Sequence, residues 1–198
     1  MLLPNGGWTG SRSGVSIVQH VQVKIFAREP AAIDLADAIP VFHRWIQEQV
    51  SEELLVDVAD YRHVPDGPGV MLIAHEANYS LDSARGRLGL LYGRKMPVGG
   101  GARENLRQAF EAAAAACRRL EREAEFVGKL RFDSGECEVT LNDRLLAPNR
   151  DETWAAVKPE LEWLFDSVYG SGGYSLERRG EPRERFRVGV VARAAARA

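Results

Sequence analysis

ELLVDVADYRHVPDGPGVMLIAHEANYSLDSARGRLGLLYGRK (53–95) decides the fold. LLVDVADY (54–61) and GVMLIAHE (69–76) are rich in β-branched and aliphatic residues, which suit a pleated, half-buried surface. The intervening HVPDGPG holds two prolines and two glycines, a strong turn signal. NYSLD (78–82) and GRLGLLYGRK (86–95) then fold back about SARG. Strands joined by turns this short pair antiparallel, so the stretch predicts two consecutive hairpins.

Working outward, HVQVKIFA (20–27) alternates Val21, Val23 and Ile25 with Gln22 and Lys24, as a half-buried strand does. IDLADAIPVFHRWIQEQV (33–50) places Leu35, Ile39, Phe42, Ile46 and Val50 at helical spacing. Pro40 predicts either a kink or a helix restarting with Pro40 in its first turn. After VGGG (98–101), residues 103–125 read as a helix with Leu106, Phe110, Ala113, Cys117 and Leu120 on one face. KLRF (129–132) and ECEVTLN (136–142) predict a hairpin about DSG. Asn149 or Asp151 is placed to cap a helix carrying Trp154, Val157, Leu161, Leu164, Phe165 and Val168, interrupted by Pro159 and ended by Gly170. YSLER (174–178) and RFRVGVV (185–191) form a final hairpin. Strands grouped between isolated helices mean α+β, with a mainly antiparallel sheet and helices on one face. The order contains a ferredoxin-like β-α-β-β-α-β core with added hairpins.

The 198 residues suit a single domain over 15–192, with a subdivision point near 98–102. Residues 1–14, rich in Gly and Ser, read as a disordered or non-native extension, and 193–198 as a frayed tail. The net charge of −2 supplies no field to attract nucleic acid or an anionic membrane. No apolar run approaches the roughly 18 residues of a membrane helix. Cys117 and Cys137 form no CxxC pair and read as buried thiols in a reducing, cytoplasmic compartment.

Candidate sites follow from register. A turn centred near Asp66 sets Asp57 across from His75, and a symmetric turn at SARG sets Arg94 across from His75. Cross-strand partners have Cβ atoms about 5 Å apart. A carboxylate beside an imidazole fixes its tautomer and raises its pKa, as general-base chemistry requires. The competing reading is a ladder of compatible polar side chains on an open face. A second candidate is KMPVGGGAREN (95–105), where Lys95, Gly100, Gly101 and Arg103 surround a helix start able to attract an anion. Its spacing matches no phosphate-loop motif, and three glycines equally suit a connector. His63, His75, Glu76 and Asp82 lack any metal-ligand spacing, so no metal is expected. Phe42, Trp45 and Ile46 beside His43 read as core, as do Trp154 and Trp163. No cofactor motif is present.

The wording of PVFHRWIQEQV (40–50) through DVADYRHVPDGPGVMLIAHEANYSLD (57–82) resembles a bacterial protein family with no assigned function. The resemblance continues through GRLGLLYGRK and NDRLLAPN (142–149), covering much of residues 21–170. It implies a bacterial cytoplasmic protein starting later than Met1, and no activity or site residue.

Three functions stay open. The leading expectation is a non-catalytic binding or assembly domain that contacts another protein or a second copy of itself. The alternatives are a small-molecule enzyme using Asp57 and His75 as an acid/base pair with Arg94 as anion anchor, and a regulatory domain binding an anionic metabolite at the 99–103 helix start.

Overall fold

The alternation in 20–27 becomes β1 (Val21–Ala27), which lies in the interior of an eight-stranded sheet rather than at an edge. The computed structural model describes residues 17–29 and 31–193. The expected 1–14 extension, and all of the expected 193–198 tail except Arg193, lie outside these residues. β1 is paired antiparallel on both sides, and of its polar alternate positions Gln22 stays partly exposed while Lys24 is buried. Lys24 is 2% exposed where the sequence predicts a solvated position.

Asp34 caps a short 3-10 turn through the Ala36 N–H, and α1 (Ala38–Glu48) follows directly. Pro40 falls in the first turn of α1, where its missing N–H costs nothing. Ala38, Val41, Phe42 and Trp45 are buried. Burying a side chain the size of Phe42 contributes about 1.5–3 kcal/mol relative to exposure.

The decisive stretch forms a four-stranded meander: β2 (Leu55–Tyr61), β3 (Gly69–Ala74), β4 (Ala77–Asp82) and β5 (Gly89–Arg94). α2 (Ala102–Leu120) then packs on β1 and β5, while α1 packs on β2 and β3. β6 (Phe132–Leu141) is one continuous strand, not the expected hairpin. Asp133 accepts the Gly135 N–H, so the DSG turn is spent as a local irregularity opposite Ile25–Ala27. α3 (Asp151–Tyr169) runs through Pro159, which sits on an exposed side where water can serve the freed carbonyl. Arg150, not Asn149 or Asp151, occupies its N-cap position. β7 (Tyr174–Arg179) and β8 (Phe186–Ala192) close the chain as the predicted hairpin, and α3 packs on α2 and β7.

The sheet order is β2-β3-β4-β5-β1-β6-β8-β7, with every neighbouring pair antiparallel. It crosses from the first half of the chain to the second at β1 and β6. Alternate positions Val23, Tyr92, Tyr79, Leu72, Val139 and Val188 lie in register across it and join Leu106, Ala113 and Phe165 of the helices in one apolar core. The intervening positions carry a different chemistry.

Candidate functional site

Lys24 of β1 stands opposite Leu91 of β5 and Glu138 of β6. Its side chain reaches sideways across β5, and its Nζ donates to Asp82 Oδ2 of β4 at 3.3 Å. Gly89 makes this crossing possible: a Cβ there would sit 2.9 Å from Lys24 Cε and 2.6 Å from the Ile25 carbonyl oxygen. The same device recurs across β8. Arg179 of β7 lies against Gly189, where a Cβ would collide with the guanidinium, and its Nη1 comes within 3.7 Å of Glu138 Oε2. The result is a row of alternating sign across the sheet: Asp82, Lys24, Glu138, Arg179. Arg187 of β8 adds a second guanidinium 4.0 Å from Glu138, and Arg85 donates to Glu138 Oε1 at 2.6 Å.

Lys24, Asp82 and Glu138 are each at most 5% exposed. Burial pushes the Lys24 ammonium below its ordinary pKa, and Asp82 opposes that by favouring the charged form. Asp82 is held in turn by the Ala84 N–H. Next in the chain, Arg85 adopts a left-handed backbone with φ 59°, an arrangement costing about 1 kcal/mol in a non-glycine residue. Two contacts hold it there: its N–H donates to Asp66 Oδ1 at 3.0 Å, and its guanidinium reaches Glu138.

A basin of about 690 Å³ lies over the Asp82, Lys24 and Glu138 part of the row. Its walls come from the 66–68 and 84–85 turns on one side and from Arg144 and the 183–185 turn on the other. Asn149 positions that second turn, its Nδ2 facing the carbonyls of Arg179, Gly180 and Glu181 at 3.0–3.2 Å. Six basic residues meet four acidic ones in the lining, so the basin is locally positive although the chain carries −2. Among the described residues, Arg144, Arg183 and Arg185 have no carboxylate at ion-pair distance, and Arg144 donates only to the Arg183 carbonyl. The arrangement can hold an anion at its rim and accept hydroxyl or amine hydrogens at its floor.

The expected Asp57–His75–Arg94 row does not form. The turn closes around Pro65 rather than Asp66, with Tyr61 opposite Gly69, so Asp57 faces Ile73, stays exposed and accepts only its neighbour's Val58 N–H. A bulge between Leu55 and Asp57 then shifts the register once more. His75 falls beyond β3 in the turn, exposed, with its N–H bound to the Leu54 carbonyl. Arg94 pairs with Ala77 at a buried position and bonds to Glu53, Glu76 and Tyr92. Lys95 and Arg103 are also engaged elsewhere. Lys95 donates to the Ala74 carbonyl, and Arg103 to Glu160 while lying over the Trp163 ring. Gly100 and Gly101 are exposed with positive φ, and no side chain caps α2. Among the described residues, no three His, Cys, Asp or Glu side chains are grouped to hold a metal. Nor is any helix among them long and apolar enough to cross a membrane.

The residues of the basin were legible in sequence only as polar positions on strands. Their signal is the pairing of a long basic residue with a glycine inside a neighbouring strand, Lys24 with Gly89 and Arg179 with Gly189. No protein-family model matches the chain, and comparison with curated proteins finds no match.

Proposed function

We propose that this protein is a binding domain for a small anionic molecule, phosphorylated or carboxylated, held in the basin over Asp82, Lys24 and Glu138. One observation carries the reading: three rim arginines, Arg144, Arg183 and Arg185, converge without a carboxylate on a cleft whose floor holds buried, paired charges. Guanidinium groups match phosphate and carboxylate geometry with paired donors. Clefts with buried ionisable groups are the default sites for ligands. The fold supports it if β4-β5-β1-β6 is read as a ferredoxin-like core with β2–β3 and β7–β8 added, and with the helices gathered on the face opposite the basin.

Calorimetry and thermal melts with inorganic pyrophosphate and with citrate test the reading against sodium chloride of equal ionic strength. Saturable binding that raises Tm is expected. Arg144→Ala and Arg185→Ala should each weaken it by about tenfold or more, the worth of one charge-assisted contact. No saturable binding of either anion, or binding indifferent to both substitutions, overturns it.

A second reading, assembly through the sheet edge, rests on Leu54, just before the outer strand β2, and Val56 within it, which stand 61% and 55% exposed. Sedimentation of the native chain against Leu54→Lys/Val56→Lys tests it; a native monomer overturns it.

A further inference from the structure

A second cavity, of about 470 Å³, opens between α1 and α2 on the core side of the sheet, away from the basin. Leu72 and Tyr79 form its floor, Trp45 and Leu55 one wall, and Ala112 and Ala116 the other. Alanines on α2 leave the space that larger side chains would fill. The two helices are instead tied beyond the end of α2, where Glu123 accepts from Trp45 Nε1 and Arg44 Nη2, each at 2.6 Å. The walls are therefore fixed around an apolar slot.

Its polar end is acidic. Glu53 accepts from the Tyr92 hydroxyl at 2.6 Å and the Tyr79 hydroxyl at 3.1 Å, and Gln108 Nε2 donates to Tyr92 at 2.9 Å. Arg94 lies behind this group and divides its charge between Glu53 at 3.5 Å and Glu76 at 3.1 Å. One guanidinium thus serves two carboxylates. At the mouth, Glu52 and Glu111 have no cation within ion-pair distance among the described residues. Arg119 also lines the cavity, but its guanidinium lies over the Trp45 ring, 5.7 Å from the centroid. Apolar walls with surplus negative charge at the polar end select a cation with a hydrophobic body and repel its anionic counterpart.

We infer that this cavity binds a hydrophobic amine, its ammonium group against Glu53 and Glu111 and its hydrocarbon or aromatic body between Trp45, Leu72 and the α2 alanines. The inference stands independently of the anion basin.

Titration of the full chain with 2-phenylethylammonium and with 3-phenylpropionate, followed by calorimetry, tests it with one body and two opposite charges. The amine should bind saturably and at least about tenfold more tightly than the acid, the worth of one charge contact. Glu111→Gln should weaken the amine severalfold and narrow that ratio. Ala112→Phe fills the slot and should abolish amine binding with the circular dichroism spectrum unchanged. If that variant does not fold, Ala115→Phe at the rim replaces it. Equal or tighter binding of the acid, no saturable binding of the amine, or amine binding that survives the filled slot overturns the inference.

Discussion

The Lys24 ammonium lies 3.3 Å from the Asp82 carboxylate, with neither side chain more than 6% exposed. Two charges withdrawn from water this completely depend on each other. Removing one partner strands the other at a cost of about 3–5 kcal/mol, while removing both can be nearly neutral. Lys24→Met should lower urea stability by that amount. Asp82→Asn keeps an oxygen for the Ala84 N–H, and adding it to Lys24→Met should recover part of the loss. A double variant as unstable as the two single losses summed would mean that the pair does not interact. The pH dependence has a definite sign. Because burial lowers the folded-state pKa of Lys24 below 10.5, the unfolded chain holds the extra proton between the two values. Stability from this group therefore rises with pH across that window, and Lys24→Met should remove the rise.

Tyr79, Tyr92 and Tyr174 make the opposite prediction. Burial, followed by Glu53 for the first two and Asp166 for the third, raises all three phenols above their ordinary value near 10. Their contribution is complete below pH 10 and is lost as pH climbs past it. In a 295 nm titration, these three should ionise only together with the loss of helical circular dichroism. Tyr92→Phe should flatten the alkaline fall in stability. Ionisation of all the tyrosines with the fold intact would refute the assignment.

Two glycine substitutions should separate stability from binding. At Gly69, φ is +65° and a Cβ would meet the Leu81 carbonyl oxygen, which cannot move without the strand. Gly69→Ala should cost about 1–3 kcal/mol in denaturant. At Gly189 the obstacle is the Arg179 guanidinium, the free end of a flexible side chain. Gly189→Ala should therefore cost less than about 1 kcal/mol while swinging Arg179 off Glu138 and changing pyrophosphate affinity. A large loss of stability at Gly189 with affinity unchanged would contradict this account.

Strand positions and the helix restart at Pro40 were legible because alternation and turn chemistry are local. Register was not. The Tyr61–Gly69 turn closes around Pro65, which sets Asp57 against Ile73, and the chain turns at His75–Glu76, which leaves Arg94 against Ala77; together they dissolve the expected polar row. The DSG segment carried a genuine turn signal, but β1 pairs with Phe132 on one side of it and with 137–141 on the other, and the segment between becomes an irregularity in one strand. Asn149 has the chemistry of a helix cap and instead serves three carbonyls of another turn. Lys24 alternates as a surface residue does. Only the strand order, which sets glycines of β5 and β8 between β4 and β1 and between β6 and β7, turns that polar face into a basin.

Val23 pairs with Tyr92 on one flank and Val139 on the other, so β1 is completed by segments made far later in synthesis. A nascent chain emerging from the ribosome can close the β2–β5 meander early. It must hold β1 half-satisfied until β6 has been translated. Such distant pairing slows folding and leaves an unpaired strand open to foreign edges in the meantime. Newly made molecules of this protein are therefore most vulnerable to aggregation before residue 141 is free of the exit tunnel.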